Sequence, residues 1–211
     1  FLNSVGVPIT IGFGTTETAP LITFANYDKY KIASCGPAVD HMEAKVVSPD
    51  PANVPGELIA KGMNVMLGYY KNEEATAQTL DAEGWYHTGD LGLMDSEGNV
   101  FIKGRSKNML LGASGQNIYP EEIEDKLNSL AMVNECVVVQ RGEKLVGLVY
   151  PDFDEAATMR LNDSDLEKIM EENRQELNAS QPPYCRLAAI EIVKEEFEKT
   201  PKKSIKRYLY K

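Results

Sequence analysis

The stretch EGWYHTGDLGLMDSEGNVFIKGRSKNMLLGASGQNIYPEEIE, residues 83–124, decides how the rest of the chain is interpreted. Within it, Gly89 and Asp90 predict a tight turn whose carboxylate points out of a strand end, where it can accept hydrogen bonds from a ribose diol. Residues 95–99 predict a hairpin loop, so the strand that returns from the loop brings Arg105 close to Asp90. A carboxylate and a guanidinium that converge beside a hairpin predict a nucleotide pocket.

Length and charge limit the classes of protein that fit. A chain of 211 residues is long enough for two domains, each with its own core. The net charge of −10 argues against nucleic-acid binding, because a polyphosphate backbone requires a basic face. A nucleotide ligand is still compatible with this charge, since a few local groups are enough to bind it.

Other sequence features indicate an ordinary protein of the reducing cytoplasm. The cysteines, at positions 35, 136 and 185, are widely spaced, which favours small core residues over a disulfide framework or a zinc site. We expect no transmembrane segment, because no run approaches about 18 apolar residues. The first residue is Phe1 rather than Met, so we expect a piece of a longer or processed chain.

A glycine-rich segment near the amino end is a second candidate ligand site. A strand predicted at residues 9–11 leads into Gly-Phe-Gly-Thr-Thr-Glu, where glycines let the backbone approach a ligand and Phe13 offers a flat face to a base. Thr16 and Glu17 would supply the oxygen ligands that Mg²⁺ prefers. Taken by itself, so short a motif is better explained as a glycine turn with surface hydroxyls.

Three motifs of the central stretch occur in the order and spacing of one known family. They are YHTGD at residues 86–90, GRSK at 104–107 and GQNIYPEEIE at 115–124. Together they resemble the adenylate-forming superfamily, which includes acyl- and aryl-CoA synthetases, the amino-acid-activating domains of peptide synthetases and firefly luciferase. The glycine-rich segment is similar to the Tyr-Gly-x-Thr-Glu motif of the same superfamily.

The resemblance implies a role for each residue that matches a family motif. It implies a nucleotide site made of Phe13, Gly14, Thr16, Asp90 and Arg105. In this site Phe13 takes the place of the tyrosine that stacks on adenine, Thr16 faces the phosphates, and Asp90 and Arg105 hold the ribose. Glu17 would help to hold Mg²⁺.

The predicted fold is α+β, with two domains and a hinge. Short strands broken by Gly and Pro from residue 30 to 104 predict a small barrel or a twisted sheet. We therefore expect residues 1–104 to be the strand-rich, distorted β-barrel-like end of a large domain, residues 105–107 to be a hinge, and residues 108–211 to be a small mobile α+β lid. By resemblance, Lys107 occupies the hinge position, whereas its sequence context alone also fits a solvated lysine at a strand end.

The lid is expected to have the element order αββαβ after an initial hairpin. The predicted elements are a hairpin at 109–115, a helix that begins at Pro120, strands at 133–139 and 144–150, a helix at 164–177 and a strand at 188–193. By resemblance, the hairpin residues Gly112, Ser114 and Gly115 line a tunnel for the pantetheine thiol of coenzyme A.

The basic segment FEKTPKKSIKR, residues 197–207, has two interpretations. A charge run of this kind is usually a solvated tail. The segment also resembles the Thr-Pro-x-x-Lys-Ile-Lys-Arg tail of long-chain acyl-CoA synthetases, whose lysine contacts the carboxylate substrate and the phosphate during adenylation. In this alignment Ser204 stands at the position of that lysine. The contact with the carboxylate substrate and the phosphate would then be made by Lys203 or by Lys206, and we favour Lys203.

The resemblance implies the C-terminal part of an AMP-forming ligase that activates a fatty acid, with a long-chain acid favoured, as acyl-AMP and transfers it to coenzyme A. Its substrates would be the fatty acid, ATP and coenzyme A, with Mg²⁺ as the metal, in the cytoplasm, and peripheral contact with a membrane is compatible with them. The family's phosphate-binding loop lies upstream, so we expect the chain by itself to be inactive. The alternatives are another acyl- or aryl-CoA ligase, a peptide-synthetase activating domain, and a non-catalytic module of the same fold.

Overall fold

The first half of the chain is built on short antiparallel strands. The computed structural model describes residues 2–210, which divide into two compact units with the bounds Phe1–Lys107 and Asn108–Lys211. In the first unit, β1 (Phe13–Gly14) pairs with β2 (Leu21–Thr23). A four-stranded sheet has the order β3-β4-β5-β6 and is formed by β3 (Met42–Val47), β4 (Gly56–Gly62), β5 (Tyr86–Met94) and β6 (Val100–Arg105).

This sheet is open. Among the described residues, β3 and β6 are its edge strands and are not paired with each other, so the sheet does not close into a barrel. The outer edge of β6 is covered by an irregular segment, because Val100 accepts a backbone hydrogen bond from Cys35 (2.7 Å) and donates one to Gly36 (3.1 Å). Covering an edge in this way protects it from pairing with another chain.

The strand predicted at residues 9–11 is wrong, because the structure has no strand at these positions. A strand is stabilised by a hydrogen-bonded partner, and the contact here is instead a side-chain one, in which the Thr10 hydroxyl donates to the carbonyl of Ala25. Helix α1 (Glu73–Thr79) begins where the Asn72 side chain accepts a hydrogen bond from the backbone N–H of Ala75.

The tight turn predicted at Gly89 and Asp90 is also wrong, since β5 runs through both residues. The pairing of β5 with β4 skips at this point, so that Thr88, Gly89 and Asp90 together face Leu58. Gly89 has a φ of +71°, which a glycine adopts without strain. The feature is therefore a bulge inside the strand, and it redirects the side chains on either side of it.

The second unit begins with a hairpin and has a three-stranded sheet. Its elements are the hairpin strands β7 (Leu110–Leu111) and β8 (Asn117–Ile118), then α2 (Pro120–Leu127), β9 (Val133–Arg141), β10 (Lys144–Pro151), α3 (Phe153–Thr158), α4 (Asp163–Ala179) and β11 (Leu187–Ile192). The sheet order is β11-β10-β9, with β9 antiparallel and β11 parallel to β10. The predicted hairpin, helices and strands are all present, and α3 is an additional helix that the sequence analysis missed.

Both faces of the second sheet are covered. Helices α2 and α4 pack on one face through the buried side chains of Ile123, Leu127, Leu166, Met170 and Leu177. The other face is covered by the end of the chain, whose Phe197, Ile205 and Tyr210 pack against Val137, Val139, Val146 and Leu148. Burial on both faces explains why β10 is an almost continuous apolar run.

The packed end of the chain contradicts the interpretation of residues 197–207 as a solvated tail. Phe197 is 3% exposed, and its ring meets that of Tyr210 edge to face at 5.0 Å between centroids. The backbone N–H of Glu198 donates to the Tyr210 hydroxyl at 2.7 Å. The basic side chains therefore lie on an ordered, docked segment, which we call the tail (residues 195–210).

The loop between β5 and β6 is organised by Asp95. Its carboxylate accepts hydrogen bonds from the backbone N–H groups of Glu97 and Asn99, each at 2.9 Å, and pairs with Lys31 at 2.7 Å. Burial opposes the charged form, but the hydrogen bonds from Lys31 and Asn99 outweigh it and lower the pKa of Asp95 to about 2. The loop in turn fixes the register that pairs Asp90 with Arg105.

Replacing Asp95 with alanine is expected to lower the unfolding free energy of the first unit by about 1.5–3 kcal/mol at pH 7, because hydrogen bonds to a charged group are lost. Since the folded-state pKa lies below the ordinary value, this contribution is complete above about pH 4 and is lost as the pH falls through about 2. Urea unfolding followed by the fluorescence of Trp85, the single tryptophan, measures it.

The control for this prediction is the exposed loop residue Asp28, whose replacement with alanine should leave the unfolding free energy at pH 7 unchanged. A difference between the wild-type chain and the Asp95 variant that stays constant from pH 7 to below pH 2 would contradict the role given to the carboxylate.

None of the helices within residues 2–210 is both long enough and apolar enough to cross a membrane.

Candidate functional site

Asp90 and Arg105 are in direct contact. The register of β5 and β6 places them opposite each other, and Asp90 Oδ1 lies 2.8 Å from Arg105 Nε. The Asp90 side chain is 7% exposed and that of Arg105 is 55% exposed. The arrangement fixes a carboxylate at the strand and leaves much of a guanidinium accessible to a ligand, which suits hydroxyl or phosphate groups.

The bulge that carries Asp90 is held by a side chain that the sequence analysis missed. Glu57 on β4 accepts a hydrogen bond from the backbone N–H of Gly89 at 3.1 Å, and its other oxygen lies 2.9 Å from His87 Nδ1. Thr88 donates to the carbonyl of Leu58 at 2.6 Å. These side-chain hydrogen bonds take the place of the regular backbone hydrogen bonds between β4 and β5 at the bulge. The only sequence signal is a Glu at the start of β4, 32 residues before Gly89.

Glu17 lies within a group of hydroxyls. The Tyr69 hydroxyl donates to Glu17 Oε1 at 2.8 Å, and Thr15 and Tyr86 also hydrogen bond to this carboxylate. Burial opposes its ionisation, but hydrogen bonds from its own backbone and from these side chains outweigh burial, so the pKa of Glu17 lies below its ordinary value. Burial raises the pKa of Tyr86 to about 12, which keeps that hydroxyl a donor.

The oxygen atoms around Glu17 fit a magnesium ion. Mg²⁺ prefers one or two carboxylates together with water and phosphate oxygens, and the charged Glu17 carboxylate beside the exposed Thr16 offers this kind of donor. Tyr69 orients the carboxylate through one oxygen. Tyr69 was not predicted from the sequence as a site residue, although the Gly-Tyr-Tyr run at 68–70 marks the loop that carries it.

Phe13 and Gly14 have structural contacts in addition to their predicted ligand roles. The half-buried Phe13 packs against two buried core clusters of the first unit, one that contains Ile22 and one that contains Val100. A Cβ atom on Gly14 would lie 1.7 Å from the carbonyl oxygen of Pro20, so only glycine allows β1 and β2 to approach this closely.

Lys107 is exposed and lies in a short 3₁₀ turn, Ser106–Asn108, where it is the last residue of the first unit. The hairpin of the second unit turns through Gly112 and Gly115, because the Gly115 N–H donates to the Gly112 carbonyl at 2.9 Å and Gly115 has a φ of +82°. Ser114 is exposed at its tip. The hairpin borders a cavity of about 950 Å³ within the second unit.

The two candidate lysines of the tail have different environments. Lys206 is 3.1 Å from Glu198, with its side chain 30% exposed. Lys203 is exposed at the end of a turn in which its N–H donates to the Thr200 carbonyl at 2.8 Å. The turn closes through a second 2.8 Å bond, from the Thr200 N–H to the carbonyl of Ser204.

The backbone of Lys203 is in the left-handed region, with a φ of +61°. A turn led by a proline and followed by one left-handed residue is a common three-residue hairpin loop, and glycine usually holds the left-handed position. A lysine at this position costs about 1–2 kcal/mol relative to an unstrained conformation. Such strain persists where the surrounding structure holds the conformation, as the two hydrogen bonds of this turn do.

Comparison with known proteins assigns the family. Residues 1–70 match the sequence model described as AMP-binding enzyme, and residues 107–210 match that described as AMP-binding enzyme C-terminal domain. The chain belongs to the AMP-binding enzyme family. This assignment confirms the resemblance to the adenylate-forming superfamily.

The curated relatives in this family include acyl- and aryl-CoA ligases. The chain is 38% identical over 149 residues to a 2-succinylbenzoate–CoA ligase of Bacillus cytotoxicus, covering 68% of the chain and 31% of that protein. It is 44% identical over 133 residues to a long-chain-fatty-acid–CoA ligase of Escherichia coli (61% and 23%), and 36% identical over 193 residues to 4-coumarate–CoA ligase 2 of Oryza sativa (86% and 32%). The chain thus spans a third or less of each of these relatives.

Solved structures of a coenzyme A synthetase and a CoA ligase share the fold. The O-succinylbenzoate coenzyme A synthetase of Bacillus subtilis in complex with AMP matches with a TM-score of 0.79 at 23% identity, covering 100% of this chain and 42% of that one. An anthranilate CoA ligase in complex with anthranoyl-AMP matches with a TM-score of 0.77 at 25% identity, covering 99% and 39%. The expected α+β fold is confirmed.

Proposed function

We propose that the chain is the C-terminal part of an ATP-dependent, AMP-forming acyl-CoA ligase. The observation that carries the proposal is the contact between Asp90 and Arg105, in which a bulge fixes a buried carboxylate next to an accessible guanidinium. This arrangement suits a ribose and its neighbouring phosphate. The curated relatives, which are acyl- and aryl-CoA ligases, support the same reaction class.

The acid that we propose is a fatty acid, and a long-chain one is favoured. The 44% identity to a long-chain-fatty-acid–CoA ligase and the form of the tail support this choice. An aryl acid is the second candidate, because the match to a 4-coumarate–CoA ligase extends over 86% of the chain. We place the enzyme in the cytoplasm, with peripheral contact to a membrane as a source of fatty acid.

In the first half-reaction, a carboxylate oxygen attacks the α-phosphate of ATP to give acyl-AMP and pyrophosphate. Phe13 would stack on the adenine, Gly14 would let the backbone approach it, and Thr16 would face the phosphates. Glu17 would hold Mg²⁺, which supplies positive charge beside the phosphates. Lys203 would contact the carboxylate and the α-phosphate and offset the negative charge that develops there.

In the second half-reaction, the thiol of coenzyme A attacks the acyl carbonyl and AMP leaves. The hairpin residues Gly112, Ser114 and Gly115 would line the path of the pantetheine arm. We propose Lys107 as the hinge about which residues 108–211 reorient between the two half-reactions. The nucleotide site would then serve both half-reactions, because the lid would present the tail lysine to it in the first and the Gly112–Gly115 hairpin in the second.

The test is ATP–pyrophosphate exchange by the full-length protein with a panel of fatty, aryl and amino acids. Exchange that depends on long-chain fatty acids, followed by thioester formation when coenzyme A is added, is the expected result. Exchange with aryl acids supports the second candidate, and exchange with amino acids supports a peptide-synthetase activating domain. If no acid supports exchange, the ligase proposal fails and a non-catalytic module is the better description.

A further inference from the structure

A buried carboxylate on α2 joins three parts of the second unit. Glu124 is 7% exposed, and one of its oxygens accepts a hydrogen bond from the backbone N–H of Val138 at 2.6 Å. Its other oxygen is paired with the guanidinium of Arg207, whose side chain is 22% exposed. Because Val138 lies on β9, an edge strand, this carboxylate satisfies a backbone donor that the sheet does not.

Arg207 connects the tail to helix α2, whereas Phe197 and Lys199 of the tail contact the sheet. The aromatic ring of Phe197 packs on the sheet, and Lys199 pairs with Glu135 on β9 at 2.6 Å. Arg207 instead reaches α2, the helix that directly follows the Gly112–Gly115 hairpin. Arg207 is also only three positions from Ser204, the last residue of the turn that presents Lys203.

Because the Glu124–Arg207 ion pair is largely buried, the two side chains must stay in contact with each other. A carboxylate out of water is stabilised by its partners, so loss of Arg207 would leave a buried charge, whereas loss of both charges together is tolerated far better. A pair of this kind contributes little net stability but defines one arrangement of the elements that it joins. The contact is therefore suited to positioning.

We propose that Glu124 and Arg207 are positioning residues, which hold the turn at residues 200–204 in one place relative to the Gly112–Gly115 hairpin. The catalytic part of this inference rests on the proposed function, because it gives Lys203 the adenylation role and the hairpin the thiol-binding role. With the pair intact, the two segments are carried by the lid as one body. With the pair broken, the turn moves independently of the hairpin.

The first experiment measures the position of the turn in the 211-residue chain without reference to any activity. The variants are Arg207→Lys, and the double variant Glu124→Gln with Arg207→Gln, which removes both buried charges together. Amide hydrogen exchange at Lys203 and Lys206, whose N–H groups donate to Thr200 and Glu198, is expected to become about tenfold faster or more. Exchange in β9 and β10 should stay as in the wild-type chain.

The matched control is Lys194→Gln, which removes an exposed ion pair with Asp163 of 3.0 Å in the same unit. Its tail amides should exchange as in the wild-type chain. If the tail amides of the double variant also keep their wild-type exchange, the pair does not position the turn and the proposal is overturned. The same conclusion follows if β9, β10 and the tail all lose protection equally, because the pair then acts on global stability.

The second experiment uses the full-length enzyme and separates the half-reactions. The double variant is expected to slow ATP–pyrophosphate exchange about 10–100-fold, as small misplacements of a catalytic group do, and to change thioester formation from supplied acyl-adenylate less than twofold. Equal losses in both half-reactions would overturn the positioning role. A wild-type enzyme with no exchange would refute the proposed function and leave the hydrogen-exchange result standing.

Discussion

Replacing Lys203 with glycine is expected to stabilise the second unit and, at the same time, to remove most of the adenylation activity of the full-length enzyme. The left-handed backbone of Lys203 costs about 1–2 kcal/mol, and glycine adopts it freely but loses about 0.5–1 kcal/mol through its greater freedom in the unfolded chain. The expected net gain is about 0.5–1 kcal/mol. Hydrogen exchange of the most protected β10 amides, which report on unfolding of the whole unit, measures it.

The loss of activity should be large, because a cation placed beside a developing phosphate charge is lost. We expect ATP–pyrophosphate exchange to fall about 10²–10³-fold, and thioester formation from supplied acyl-adenylate to stay near the wild-type rate. A substitution that only damaged the fold would lower both rates and the stability. The combination of higher stability and lower activity is therefore specific to a strained functional residue.

Lys202 provides the matched control, since Lys202→Ala removes one positive charge from the adjacent exposed position of the same turn. This variant should keep adenylation within about twofold of the wild-type rate, because an exposed charge contributes little at a distance. Full adenylation by the Lys203→Gly variant would contradict our assignment. If Lys206→Gln then abolished adenylation, Lys206 would be the tail lysine.

Replacing Asp90 with asparagine is expected to weaken binding of AMP to the full-length enzyme by about 10–150-fold. The substitution keeps the shape of the side chain but removes the charge that pairs with Arg105, and hydrogen bonds to a charged group are worth about 1.5–3 kcal/mol. Titration calorimetry with AMP measures the affinity, and the fluorescence of Trp85, which lies five residues before Asp90 and directly before β5, shows whether the first unit remains folded.

The control for Asp90 is Asp40→Asn, which removes the same charge from an exposed loop position of the same unit. It should leave the affinity for AMP unchanged. A folded Asp90→Asn variant that binds AMP as tightly as the wild-type enzyme would show that the contact with Arg105 is purely structural, and the nucleotide site would have to be sought elsewhere.

The proximity of Asp90 and Arg105 could be predicted from sequence, because a short hairpin loop fixes which residues of its two strands face each other. The bulge at Gly89 could not be predicted from sequence. A glycine with positive φ is equally compatible with a turn and with a bulge, and the choice depends on Glu57, which is distant in the sequence and hydrogen bonds to Gly89 only after the strands have paired.

The tail illustrates the same limit. Its composition predicts a solvated segment, since half of its residues are charged, and three dispersed apolar side chains decide otherwise. The partners of Phe197 and Tyr210 lie on β9 and β10, about 50 to 70 residues earlier, so no local pattern contains the information. The strand predicted at residues 9–11 failed for the converse reason, because a favourable local pattern did not find a partner strand.

The docked tail has a practical consequence for experiments on this protein. Phe197, Ile205 and Tyr210 form the cover of one sheet face, so a deletion from residue 195 onward would expose Val137, Val139, Val146 and Leu148 to solvent. An exposed apolar face of this kind favours aggregation. Inactivity of a C-terminally truncated protein would then be no evidence for a tail lysine in the chemistry, and single substitutions at the exposed turn are the informative ones.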